Sequence, residues 1–115
     1  MDNTRLLIVA MAAQCQEMIL ASPERNLELP RPLQPKHLLW MCRKIQEHAD
    51  DWHANKLNRW IGYVQCAMLA HRMLGLDEAK AMFDKAKAAH GDTGEDLLDH
   101  LDATNDFEVD IGGQG

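Results

Sequence analysis

The sequence predicts an all-α fold: a small helical bundle of about four helices plus a short C-terminal helix. Three observations lead there. Leu, Ala and Met dominate the 46% of apolar residues, and these favour helix over strand. Apolar side chains recur at intervals of three and four along most of the chain. All four prolines, Pro23, Pro30, Pro32 and Pro35, fall together between two such stretches. A length of 115 residues is that of one domain. It leaves no room for a full doubly wound sheet.

The first helix is capped by Asn3 or Thr4 and runs to about Ala21, where Ser22-Pro23 stops it. From Leu6 to Ala13 every residue is apolar, so two turns are apolar around nearly the whole circumference. Such a helix needs cover on more than one side. A symmetric homodimer in which this helix packs against its mate or is exchanged with it, with Leu7, Ile8 and Met11 at the oligomer interface, is the economical solution; the alternative places this helix at the centre of a monomer. Arg5 before the apolar run gives the outline of a signal sequence. No small-x-small cleavage site follows, and eight apolar residues are too few to span a bilayer, so the expectation is a soluble, cytoplasmic protein.

Residues 23–34 read as an extended Pro-rich arm that could carry the first helix away from the body, with Pro35 opening the second helix at 35–49. Leu38, Leu39, Cys42 and Ile45 share a face there. A polar break at 50–55 precedes a third helix, Lys56 to Leu74, with Leu57, Trp60, Ile61, Val64, Met68 and His71 at helical spacing and Gly75 as its left-handed cap. Asp77 caps a fourth helix, 78–90, with Ala79, Met82, Phe83 and Ala86 inward. Thr93 and Asp96 imitate a capping box for a short fifth helix through Leu97, Leu98 and Leu101. Residues 1–102 form the expected single domain, with 35–102 its helical body, and 103–115 an acidic, Gly-ended tail.

Charge is segregated. Residues 31–90 hold ten basic and six acidic groups, whereas 91–115 hold eight acidic groups and no basic one. Within the basic body Arg43, Lys44, Lys56, Arg59 and Arg72 alternate with Trp52 and Trp60. Arg43, Lys44, Trp52, Lys56, Arg59 and Arg72 are therefore the candidate contacts to a partner or ligand. Cations contact phosphates while aromatics stack on bases, so nucleic acid or a nucleotide signal is one possible partner. The net charge of −6 works against a long polyanion and favours a protein.

Catalytic motifs are missing. Ser22 is the one serine, and no nucleophile elbow, phosphate loop, dinucleotide fingerprint or zinc-protease motif occurs. Asp92-x-Gly94-x-Asp96 starts like a calcium loop, but Leu97 stands where the turn glycine belongs. His48, Asp51 and His53 lie close in sequence, yet neither His37 nor Glu47 clearly completes a metal set. Cys15, Cys42 and Cys66 form no CxxC pair and sit in apolar helical patterns, which predicts buried free thiols. The expectation is a protein that is not an enzyme and needs no cofactor or metal.

Two segments carry a resemblance: Leu33-Gln34-Pro35-Lys36-His37-Leu38-Leu39-Trp40-Met41-Cys42, and Lys56-Leu57-Asn58-Arg59-Trp60-Ile61-Gly62-Tyr63-Val64-Gln65. Together they resemble small uncharacterised helical proteins of tailed bacteriophages and prophages of Gram-negative bacteria, which pair an LLWM-type with an RWIGYVQ-type helix. Asp77 to Phe83, the LLDHLD segment at 97–102 and the acidic tail look similar as well, so the resemblance covers about residues 31–115. It brings no catalytic or binding residues with it. It implies a small accessory protein acting in the bacterial host by macromolecular binding, with inhibition of a host defence or regulatory protein as the leading version and nucleic-acid binding or a structural role as rivals.

Overall fold

The computed structural model describes residues 2–90; the expected fifth helix and the tail at 103–115 lie outside them. The described residues form four helices and no strand: α1 (Asn3–Ala21), α2 (Pro35–Glu47), α3 (Ala54–Ala70) and α4 (Leu76–His90), with a 3-10 turn at Arg31–Leu33. The helical bundle expected from the apolar spacing is thus present.

The centre is α1, which packs against α2, α3 and α4. Its positions 7, 8, 11, 12, 15 and 19 are buried and join one core with Leu38, Ile45, Leu57, Ile61, Met68 and Phe83. Burying one such side chain contributes about 1.5–3 kcal/mol. This corrects one form of the expected oligomer interface, in which Leu7, Ile8 and Met11 pack against the first helix of a mate. All three are 0% exposed within one chain, so three helices of the same chain supply the cover that a mate was invoked for. A dimer built on these residues would require α1 to be exchanged between copies. As a whole helix, α1 is also long and apolar enough by length and composition to cross a membrane, beyond what the eight-residue run indicated, with 33% of its apolar window buried here.

The caps differ from expectation by a residue or more. Asp2 caps α1, accepting the Arg5 N–H at 2.9 Å. At the other end of the chain's first half, residues 22–34 do not lead away from the body as an arm. They form a strap fastened to α3. Pro30 and Pro32 have no N–H to donate, so their neighbours' carbonyls take donors from elsewhere. The Tyr63 hydroxyl donates to the Pro32 carbonyl at 2.6 Å, and Gln34 Nε2 donates to the Leu29 and Asn26 carbonyls at 2.7 and 3.1 Å. His71, 2% exposed, is the main fastening. Its Nδ1 accepts the Asn26 N–H at 2.9 Å, which leaves the ring proton on Nε2 to be donated to the Leu33 carbonyl at 2.7 Å.

α3 ends at Ala70, four residues before the expected Leu74, and the left-handed residue is Arg72 (φ 64°) rather than Gly75. Arg72 N–H donates to the Leu69 carbonyl at 3.0 Å and Met73 N–H to the Met68 carbonyl at 2.9 Å, the two bonds of a Schellman motif. The early stop turns Met73 and Leu74 into the core, and that burial offsets the strain at Arg72. Gly75 instead caps α4: its N–H donates to Glu78 Oε1 at 2.9 Å, and Asp77 falls in the first turn. Arg72→Gly should therefore raise stability by about 0.5–1 kcal/mol, since a left-handed L-residue costs roughly 1–2 kcal/mol and glycine's extra backbone entropy returns part of it. A thermal melt followed by circular dichroism should show the midpoint rise by about 2–6 °C; a lower midpoint would contradict the assignment.

Candidate functional site

α2 and α3 pack as an antiparallel hairpin, and their facing side chains build a continuous row of rings. Tyr63 meets His37 edge-on at 6.4 Å, His37 meets Trp40 at 5.3 Å, and Trp40 meets Trp60 at 5.7 Å. Trp60 then meets Trp52 edge-on at 4.6 Å, and His48 lies parallel to Trp52 at 4.7 Å with an interplanar angle of 2°. His37 and Trp40 stand three apart on α2, and Trp60 and Tyr63 three apart on α3, so each pair shares a helix face. Trp52 and Trp60 lean on the core, while Trp40 and Tyr63 remain 39% and 36% exposed. All three tryptophans of the chain are in this row.

The row is held at one end by the turn between α2 and α3. His48 Nδ1 bonds both Asp51 carboxylate oxygens at 3.2 Å, and His53 Nδ1 accepts the Asn55 N–H at 3.1 Å to cap α3. From α1, Arg5 Nη1 donates to the Ala49 and Trp52 carbonyls, each at 2.6 Å, which fixes the backbone that carries Trp52. Arg5 is thus a positioning residue that the sequence did not single out.

Of the predicted contacts, the structure brings together Trp52 and Lys56, whose Nζ stands 3.8 Å above the Trp52 ring and 5.7 Å from Trp60. Arg43 and Arg59 are exposed at the margins of the row, one turn from Trp40 and from Tyr63 respectively, and form no ion pair among the described residues. Lys44 is spent on Glu47 at 3.3 Å. Arg72 does not belong to the group. It lies beyond the far end of α3, whose axis runs about 21 Å from Lys56 to Ala70. His37, Trp40, His48, Trp60 and Tyr63 complete the face; their spacing within each helix was visible, but the register between helices was not.

Other chemistry is limited. The cleft between strap and α3, lined by residues 24–27 and 70–72, contains His71 with both ring nitrogens already bonded. Among the described residues no group of three or more His, Cys, Asp or Glu side chains converges on one point. Cys15 and Cys42 are buried free thiols, as expected, but Cys66 is exposed on α3 because its position turns away from α1. Burial pushes the Cys15 thiol far above the ordinary range, with Cys42 nearby adding to the shift, and pushes Cys42 from 9.0 to about 12. A raised thiol pKa stabilises the fold at any pH below the unfolded value, and that contribution is lost as pH climbs from about 9 toward the folded value. Two outcomes follow. At pH 8 a disulfide reagent should modify Cys66 faster than Cys15 and Cys42, which should react only on unfolding. The urea midpoint should fall as pH is raised from 9 to 11. Three equally fast thiols, or a flat midpoint, would contradict this.

No family model, curated protein or solved structure matches the chain.

Proposed function

We propose that this is a small non-enzymatic accessory protein of a phage or prophage that acts in the bacterial cytoplasm by binding another protein through the aromatic face of α2 and α3. One observation supports this most. Six rings, all three tryptophans among them, form one row on the surface of a bundle whose core holds a single aromatic side chain, Phe83, among the described residues. A chain that needed its tryptophans only for stability would bury them; here Trp40 keeps 39% of its surface in solvent. Trp, Tyr and Arg are the side chains that dominate binding energy at protein interfaces, and the row places Arg43 and Arg59 beside Trp40 and Tyr63.

A protein partner fits better than nucleic acid. The rings are tilted or edge-on to one another, not splayed to receive bases. Lys44 is paired with Glu47, and the net charge of −6 works against a long polyanion. The phage origin, and a host defence or regulatory protein as the partner, rest on the resemblance of the two helical segments. The test is a photo-reactive residue at position 40, with a control at exposed Ala81 of α4, activated in host cells. One host protein should be captured from position 40 alone, and the Arg43→Glu/Arg59→Glu pair should abolish the capture. Equal capture from both positions, or tight DNA binding that weakens steeply with salt, would overturn the reading.

A further inference from the structure

The aromatic face has an occupant of the right chemistry in its own chain. Residues 2–90 hold twelve basic and ten acidic groups, while residues 91–115 hold eight Asp and Glu side chains, no Lys or Arg, and the apolar side chains Leu97, Leu98, Leu101, Phe107, Val109 and Ile111. The face presents the complement: an apolar row of half-exposed rings edged by Lys36, Arg43, Lys56 and Arg59. Reach is ample. Twenty-five residues span up to about 80 Å when extended, and the longest dimension of the molecule is 37 Å.

We propose that the acidic segment 91–115 docks on the α2–α3 aromatic face of its own chain, so that a partner must displace it. Carboxylates pair with the marginal cations while the apolar side chains lie on the indole rings. Being tethered, the segment acts at a high effective concentration, so even weak contacts occupy the face. This does not depend on which class of macromolecule the partner belongs to.

The full-length protein tests it directly, because every tryptophan lies in the face and intrinsic fluorescence reports on nothing else. Quenching by neutral acrylamide should be weaker by about a third in 20 mM than in 500 mM NaCl, since salt screens the attraction. A full-length variant with all eight carboxylates beyond His90 replaced by their amides should quench at the high-salt level under both conditions. So should Arg43→Gln/Arg59→Gln, which keeps every carboxylate. A carbodiimide should also join Lys36 or Lys56 to a carboxylate beyond position 91. Mixing isotopically light and heavy protein tells whether the bond lies within one chain. Quenching that is the same in all three proteins and at both salt concentrations overturns the proposal. Cross-links found only between light and heavy copies overturn it too, because the occupant would then be a second molecule.

Discussion

Ile8→Asp should abolish cooperative folding. Ile8 is 0% exposed on α1, in a core of Leu, Ile, Val, Met, Phe, Ala and Cys side chains. Arg5, one turn away, is already held by the Ala49 and Trp52 carbonyls, so a carboxylate at position 8 must either stay charged in an apolar medium or take up a proton at a cost. Either route, added to the lost transfer energy of the isoleucine, amounts to about 4–5 kcal/mol or more. That is comparable to the lower end of the 5–15 kcal/mol typical of a domain, where a 115-residue chain with a modest core falls. Circular dichroism should show no sigmoidal thermal transition, and Ile8→Val, which only trims a methyl group, should melt normally at a cost of about 1 kcal/mol. If Ile8→Asp instead melts cooperatively within a few degrees of the parent and only its mass changes in light scattering, the residue lies on a surface and the core assignment is wrong.

His71→Ala should have the next largest effect, because one ring satisfies two backbone groups of the strap. Its loss leaves the Asn26 N–H and the Leu33 carbonyl without their partner. A partly buried orphan costs about 1–3 kcal/mol, and water can reach part of this site, so about 2–3 kcal/mol is expected in total. The thermal midpoint should fall by about 10–20 °C. Global stability alone would not locate the damage, so a second measurement is needed. Arg25 is exposed in the strap, and trypsin should cut after it at least ten times faster in the variant while sites in α4 gain less. A strap that is cut at the parent rate would show that His71 does not fasten it.

How much of this was legible beforehand varies by element. Pro35 opens α2 as its conformation demands, and the stretch from Leu57 to Met68 reads as one helix in sequence and structure alike. Those features depend on residues within one or two turns of each other. The end of α3 is not legible locally: Gly75 is the residue with the lowest cost in a left-handed cap, yet Arg72 takes that conformation. Burying Met73 and Leu74 decided the stop, and burial depends on α1 and α4, far away in sequence. The strap is set by distant residues in the same way. Its prolines announced an extended segment, whereas its fastenings come from Tyr63 and His71, 31 and 38 residues further on.

The binding face divides along the same line. Local spacing by itself determined that His37 and Trp40 share one helix face and Trp60 and Tyr63 another, and composition determined that the chain is helical with its acid gathered beyond residue 90. Only the tertiary structure decided that these faces oppose each other with Trp40 against Trp60, that Arg5 steadies the turn carrying Trp52, and that Arg72 stands apart from the cations it resembled. The same structure decided that Leu7, Ile8 and Met11 are covered from within. A helix apolar all round states that it must be covered, and its sequence is silent on what covers it, because hydrophobic burial has no direction and any apolar surface at the right distance satisfies it.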